Sequence, residues 1–350
     1  MAASASNSHV DLEPPEQASR SRKGRVAVLL NANAKRVTEA VRREIILAVP
    51  DADVFFTHSL DEAAFVTRRM ADLGYDVIYT GGGDGTVVNT LDQVVRRLDE
   101  LGVTEYPRFG VLRLGTGNGI ADFFGAGDYR RDLRRSEAAL VKPLHLMEID
   151  GERRAPFFGF GWDAFVLANY DQMKQTAQRF AFTRALFKNV IGYLIAGVGK
   201  SVPQLIFERP NWNIRVVNTG GIGLKLDLDG NVIERYAPGA VVYEGPSKVG
   251  CFGTTPFYGF KFRMMPFADR TPGMFHFRTL DLHPINAVSQ LHKAWNGRID
   301  GPGVHDFMLS GAHVDFETPA PFQIGGDSAG TRTALDVRIV DRAIPCLHFD

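Results

Sequence analysis

The stretch YDVIYTGGGDGTVVNT, residues 75–90, decides the fold class of this 350-residue chain. Residues 75–80 are mostly apolar and β-prone, as in a strand that is covered on both faces. A glycine-rich turn, residues 81–86, follows at once, and a helical pattern continues from there to residue 101. Glycines let a backbone approach a phosphate closely, and the start of a helix presents unpaired N–H groups. The stretch therefore predicts a strand, a phosphate-binding turn and a helix in direct succession.

The same alternation extends over the first half of the chain. Strands are predicted at 25–30, 52–57 and 108–114, and helices follow the capping residues Thr38 and Ser59. This β-α-β-α-β-α-β order predicts a mostly parallel sheet with helices on both faces. We therefore expect an N-terminal, Rossmann-like, three-layer α/β/α nucleotide-binding domain over residues 24–147.

A second glycine-rich turn, residues 115–119, follows the fourth strand. Ligands of such sheets bind beyond the carboxyl ends of the strands, and both glycine-rich turns lie at such ends. Asp84 would repel a bare phosphate, so it is expected beside Mg²⁺ or a ribose hydroxyl. The sequence has no G-x-x-x-x-G-K-[ST] motif and no G-x-G-x-x-G after the first strand. These absences argue against a P-loop protein and a dinucleotide dehydrogenase.

The second half of the chain has a different pattern. Short β-prone segments separated by glycine and proline predict a C-terminal antiparallel β-sandwich domain over residues 148–340. A few helices interrupt it, one from about 164 to 199 and one starting at Pro284. The aromatic residues of 164–199 suit either a core or an apolar acceptor channel. Residues 1–23 are small and polar, so they are expected to form a disordered tail.

Composition narrows the choice of partners and compartment. The 40 Lys+Arg balance the 40 Asp+Glu, so no nucleic-acid partner is expected. Cys251 and Cys346 are too few for a disulfide framework and are predicted to be reduced thiols of a cytoplasmic protein. No apolar run is long enough to span a bilayer. The histidines show no zinc-type spacing, so no residue is assigned as a metal ligand.

Two motifs together resemble the diacylglycerol kinase catalytic-domain family, which includes bacterial lipid kinases, sphingosine kinases and ceramide kinases. They are Gly82-Gly83-Asp84-Gly85-Thr86 and Leu114-Gly115-Thr116-Gly117-Asn118. The resemblance implies ATP and Mg²⁺ as cofactors, and a chain end, about 341–350, that packs back onto the first domain. By the same resemblance the nucleotide-binding residues are Asn31, Thr57, Gly82, Gly83, Asp84, Gly85, Thr86, Gly115, Thr116 and Asn118.

The family places its catalytic acids in a late Asp-Gly-Glu motif, whose counterpart here is Gly325-Gly326-Asp327. Asp327 is therefore the candidate general base, with an ordinary turn aspartate as the competing interpretation. Other acidic positions of the family are changed as well. Gly119 follows the second turn where an Asp is usual, and Pro272 replaces the Asp of a structural Mg²⁺ site. Asp122 lies one helical turn after Gly119.

The resemblance implies an ATP-dependent lipid kinase that phosphorylates a hydroxyl of a diacylglycerol-like lipid, or of a sphingoid or ceramide-like lipid. Its substrate would be presented at a membrane surface, with peripheral contact and an unspecified oligomeric state. A catalytically degenerate nucleotide- or lipid-binding protein is the alternative outside enzymes. NAD kinase is a weaker alternative, because the Asn-Glu dipeptide usual in that group is absent.

Overall fold

The computed structural model describes residues 24–162, 164, 211–259 and 261–349. Three expectations therefore lie outside the described residues: the tail over 1–23, the helical stretch from 165 to 199 and a short strand at 205–209. Helices were found at α1 Glu39–Ala48, α2 Leu60–Leu73, α3 Asp84–Glu100, α4 Gly119–Phe123, α5 Tyr129–Arg134, α6 Pro284–Ser289 and α7 Leu291–Ala294. None of these helices has the length and apolar character needed to cross a bilayer.

The first sheet has six strands in the order β2-β1-β3-β4-β18-β5. Its strands are β1 Val26–Asn31, β2 Asp53–Thr57, β3 Val77–Gly82, β4 Arg108–Arg113, β5 Leu140–Leu144 and β18 Ile344–His348. The first four pair in parallel, as the alternation of apolar runs and helical patterns predicts. The central residues of β1, β3 and β4 are buried because helices cover both faces, whereas those of the edge strand β2 are half-buried.

Local capping sets the helix boundaries of this α/β unit. The Thr38 hydroxyl accepts the Val41 N–H at 3.2 Å, and the Ser59 hydroxyl accepts the Glu62 N–H at 3.1 Å. Gly74 ends α2 in the left-handed conformation, at φ 65°. The three caps lie where the sequence places them, because capping depends on neighbouring residues only.

The second unit is a twelve-stranded antiparallel sheet with few helices. Its strands are β6 Met147–Ile149, β7 Arg153–Ala155, β8 Phe157–Gly161, β9 Trp212–Asn218, β10 Gly223–Leu226, β11 Val232–Tyr236, β12 Val241–Ser247, β13 Val249–Gly253, β14 Phe275–Leu280, β15 Val304–Leu309, β16 Gly311–Ile324 and β17 Asp327–Ile339. The long strand β16 pairs with β9 through its first half and with β8 through its second. Stacked phenylalanines from β8, β13 and β14 fill the core.

The segment FKFRMM, residues 260–265, has the alternating apolar pattern that predicts a strand, and this prediction is wrong. Residues 261–265 form turns in the structure. The Phe262 N–H donates to the Gly259 carbonyl, and the Tyr258 N–H donates to the Phe262 carbonyl, both at 2.9 Å. These local bonds curl the segment back on itself, so its alternating apolar residues do not extend along a neighbouring strand.

A buried charged group lies within the second sheet. Asp306 accepts two hydrogen bonds from Arg278, at 2.6 and 3.0 Å, and lies 2.7 Å from His276 Nε2. Burial raises the pKa of Asp306, but the Arg278 charge and the His276 contact outweigh it, so the net shift is downward. Asp306 is thus a buried polar residue of the core, held by its contacts with Arg278 and His276.

The chain end returns to the first unit. Strand β18 lies between β4 and β5, parallel to the first and antiparallel to the second. Cys346 on β18 and Cys251 on β13 are both buried, and neither forms a disulfide. The last strand, which follows β17 of the antiparallel unit, is thereby an interior strand of the α/β sheet.

Candidate functional site

The order of the first sheet reverses at β1, because the chain goes from β1 to β2 on one side and then to β3 on the other. Open α/β sheets bind ligands in the crevice outside the carboxyl ends of strands at such a reversal. Asn31 ends β1 and Gly82 ends β3, so the first glycine-rich turn lies at this crevice.

Asn31 joins the two sides of the crevice. Its side-chain amide donates to the Thr86 hydroxyl at 2.9 Å, and its oxygen accepts the Asn33 N–H at 2.9 Å. Thr57 ends the neighbouring strand β2, but it is buried and its hydroxyl is directed at the Leu30 carbonyl, 3.4 Å away. The structure therefore brings Asn31 and Thr86 together and leaves Thr57 covered beside them.

The two glycine-rich turns touch each other. A Cβ placed on Gly115 would lie 2.6 Å from the Gly82 carbonyl oxygen, so their backbones are in contact. Asn118 holds the second turn closed: its oxygen accepts the Gly115 N–H at 3.0 Å and its amide donates to the Gly115 carbonyl at 2.8 Å. Thr116 is exposed at the tip of this turn. The paired turns form one continuous backbone surface.

Asp84 fastens the second turn to the first. Its Oδ2 accepts the Gly119 N–H at 2.9 Å and its Oδ1 accepts the Ile120 N–H at 3.0 Å. Burial raises the pKa of Asp84, and these two N–H groups lower it in part. The carboxylate thus accepts hydrogen bonds from the start of α4, and its contact with a cation or a ribose hydroxyl stays a prediction. Each oxygen still has a lone pair for a second partner.

We expect Asp84→Ala to lower the free energy of unfolding by about 2 kcal/mol, because two N–H groups lose their acceptor. Urea denaturation followed by circular dichroism measures this change. Asp61→Ala, an exposed first-turn residue of α2, is the matched control and should change stability by only about 0.5 kcal/mol. Equal losses in the two variants would contradict the fastening role.

Asp327 lies against the first glycine-rich turn. A Cβ placed on Gly85 would overlap the Asp327 carboxylate, so only a glycine leaves room for this contact. Asp327 begins β17 after the two-residue hairpin turn Gly325-Gly326, in which both residues have positive φ, 62° and 87°. Such turns match the twist of paired strands. Gln323 supports the turn, since its Oε1 accepts the Gly326 N–H at 2.8 Å.

Gly325 also faces α3, at Val88, one helical turn after the Gly85 contact of Asp327. A Cβ at this position would lie 2.7 Å from Val88 Cγ2 and 2.9 Å from Val88 Cβ. Gly325, where the family pattern has an acid, is thus in contact with Val88, which stands where Asn often follows the first loop of the family. Asn89, one residue later, accepts a hydrogen bond from Arg153 at 2.7 Å. An apolar contact therefore occupies the place where the family pattern would put polar side chains.

The second unit covers part of the second turn. A Cβ on Gly119 would lie 2.7 Å from the Gly259 nitrogen and 3.2 Å from the Phe257 carbonyl oxygen. A side chain as large as Asp at position 119 would not fit beneath this segment. The absence of the family's acid at Gly119 therefore has a steric reason in this chain.

Asp122, on the same helix as Gly119, supplies a carboxylate where Gly119 lacks the aspartate of the family pattern. Helical side chains point toward the N-terminus of their helix, so the carboxylate of Asp122 lies over the start of α4. Its Oδ1 pairs with Arg113 at 3.0 Å, and its Oδ2 is buried with no hydrogen-bond partner among the described residues. Burial raises the pKa of Asp122, while Arg113 and Lys261 lower it in part.

Some of these residues could not be assigned from sequence patterns. Gln323 supports the hairpin turn by accepting the Gly326 N–H, and Arg113, at the end of β4, pairs with Asp122. Neither residue belongs to a motif. The only sequence signal for Asp122 is its spacing of one helical turn after Gly119.

Residues 25–149 match the family model described as the diacylglycerol kinase catalytic domain. Curated relatives include the mitochondrial acylglycerol kinase of Pongo abelii, 32% identical over 152 residues, which are 41% of this chain and 34% of that protein. A protein from Enterobacter sp. (strain 638), named "Probable lipid kinase YegS-like", is 32% identical over 28% of this chain and 32% of its own length. The chain thus spans about a third of the length of these relatives.

A solved structure of a diacylglycerol kinase from Bacillus anthracis aligns with a TM-score of 0.61 at 14% identity. The alignment covers 93% of this chain and 97% of that one. At this identity the likeness concerns the fold, and it extends over both units. The predicted combination of an N-terminal α/β domain with a C-terminal antiparallel domain of few helices is confirmed.

Proposed function

We propose, from the match of residues 25–149 to the diacylglycerol kinase catalytic domain, that this chain is a lipid kinase that transfers a phosphate from ATP to a lipid hydroxyl. One observation carries the proposal: the Asp327 carboxylate lies against Gly85 of the phosphate-binding turn. A base for the acceptor hydroxyl and a cradle for the donor phosphate are therefore adjacent, as phosphoryl transfer requires.

Each part of the site has a role in this proposal. ATP would supply the phosphate, and Mg²⁺ would neutralise charge on its oxygens. The backbone N–H groups at the start of α3 bind phosphate oxygens, because glycines 82, 83 and 85 leave them accessible. Asn31 and Asn118 keep the turns in place through their hydrogen bonds. Asp327 accepts the proton of the acceptor hydroxyl as the new phosphate ester forms.

The residues present fit a magnesium ion that is shared with phosphates. Mg²⁺ in kinases is usually held by one or two carboxylates together with phosphate oxygens. Asp122 has a buried oxygen with no hydrogen-bond partner among the residues that the structure describes, and its charge acts on Asp84. These two carboxylates are the ones that would hold the ion. No group of three acidic, histidine or cysteine side chains converges in the described part of the chain.

The acceptor we favour is a diacylglycerol-like glycerolipid, on the names of the relatives and structural neighbours. A sphingoid or ceramide-like lipid is the alternative acceptor, because Gly325 removes one carboxylate of the family's acidic pair. Either lipid resides in a bilayer, so the enzyme would act at a membrane surface through peripheral contact.

Transfer of labelled phosphate from ATP into lipids in mixed micelles tests the proposal. The panel contains diacylglycerol, monoacylglycerol, ceramide and sphingosine, and NAD is tested in a parallel reaction. We expect label in diacylglycerol, and label in ceramide or sphingosine alone would identify the alternative acceptor. Absence of label from every substrate, with ATP binding retained, would indicate a nucleotide-binding protein without kinase activity.

A further inference from the structure

Lys261 lies at the tip of a turn that packs on the nucleotide site. The turn is closed by the hydrogen bond from the Phe262 N–H to the Gly259 carbonyl, at 2.9 Å. Lys261 occupies its third position with φ 62°, a left-handed conformation that favours glycine or asparagine. A lysine there costs backbone free energy, and such strain is concentrated at functional sites.

The turn is held against the second glycine-rich turn of the α/β unit. The closeness of Gly119 to Gly259, described above, fixes the base of the Lys261 turn on the start of α4. Lys261 also acts electrostatically on Asp122, which belongs to the same helix. The turn that carries Lys261 is therefore near the second glycine-rich turn, on the side where the second unit covers it.

The charged groups near the second glycine-rich turn differ in whether they already have a bonding partner. Arg113 pairs with Asp122 at 3.0 Å, and two backbone N–H groups occupy the Asp84 carboxylate. Lys261 is exposed and makes no ion pair within 4 Å with any described residue. Within the described part of the chain, Lys261 is therefore a positive charge outside any ion pair, beside turns suited to phosphate.

We propose that Lys261 binds a phosphate group of the substrate or product at this site. The inference rests on the proposed kinase function and deepens it, because nothing in the glycine-rich motifs includes this residue. A lysine ammonium is a compact charge with three donors, suited to a phosphate oxygen. Two sources have this chemistry: the polyphosphate of ATP and the phosphate of a phosphorylated lipid.

The test combines binding and stability in the full chain. Lys261→Gly should weaken binding of a non-hydrolysable ATP analogue by about tenfold in calorimetry, an effect that shrinks as salt is raised. Its Tm should stay equal or rise, because glycine adopts positive φ without strain. Lys261→Arg should retain binding. Arg68→Gln, which removes an exposed charge from α2, is the control for net charge.

A parallel titration with dioctanoyl phosphatidic acid separates the two sources of phosphate. Weaker binding in the nucleotide arm assigns Lys261 to ATP, and weaker binding only in the lipid arm assigns it to the lipid phosphate. Unchanged binding of both probes by Lys261→Gly would overturn the inference. If the wild-type chain binds neither probe and transfers no phosphate, the proposed kinase function fails as well, so the two failures are distinguishable.

Discussion

Replacing Asp327 with asparagine is expected to lower the rate of phosphate transfer by about 10²–10⁴-fold, which is the usual contribution of a general base. Asparagine keeps the size and a hydrogen-bonding oxygen of the side chain, but it cannot accept the proton of the acceptor hydroxyl. The carboxylate lies against Gly85, so the loss should appear in kcat while ATP binding persists. Initial rates with labelled ATP, together with calorimetric binding of an ATP analogue, measure the two quantities.

Asp341→Asn is the matched control for this experiment. Asp341 is an exposed aspartate on the segment after β17, remote from the hairpin turn in sequence. The same chemical change there should leave the rate within about twofold of the wild type. A rate that survives Asp327→Asn would remove this residue as the base and would leave Asp84 and Asp122 as the candidate acids of the site.

Restoring the family's aspartate at position 325 is expected to destabilise the protein. Gly325→Asp should lower the free energy of unfolding by about 3 kcal/mol, from left-handed strain of about 1–2 kcal/mol and overpacking against Val88 of about 1–3 kcal/mol. Gly325→Ala should show nearly the same loss, because the first added carbon already lies 2.7 Å from Val88 Cγ2. Urea denaturation gives both values.

Gly326 provides the control for the backbone contribution. It also has positive φ, 87°, but a Cβ there would meet no atom within 4 Å. Gly326→Ala should therefore show the strain alone, about 1 kcal/mol. In a Val88→Ala background the cost of Gly325→Ala should fall only in part, because alanine at position 88 retains the Cβ that lies 2.9 Å from the added carbon. If both glycine substitutions cost the same in the wild-type background, the Val88 contact is not responsible.

The α/β unit follows from local sequence because its determinants are local. Apolar runs, the Thr38 and Ser59 caps and the stop at Gly74 depend only on neighbouring residues. The antiparallel unit is less predictable. Strand β13, Val249–Gly253, contains two glycines that disfavour strand prediction, yet Gly250 leaves room for the Phe160 ring of β8.

The motif residues of the site could be predicted, and their roles only in part. Asn31, Thr86 and the two glycine-rich turns come together in the structure. The attachment of Asp84 to the start of α4 could not be read from its motif, because its partners are 35 and 36 residues away. Lys261 could not be predicted for a different reason. It is distinguished by its left-handed backbone conformation, which its residue type does not indicate.

The position of β18 limits how far the α/β unit can fold while the chain is being synthesised. The strand is interior to the first sheet, so the edges of β4 and β5 stay open until residues 344–348 have left the ribosome. The α/β unit therefore cannot complete its sheet until the antiparallel unit has been synthesised, even though its other elements emerge first. A fragment that ends near residue 147 would carry an unpaired strand edge prone to intermolecular pairing, and only a chain that includes residues 344–348 pairs this edge.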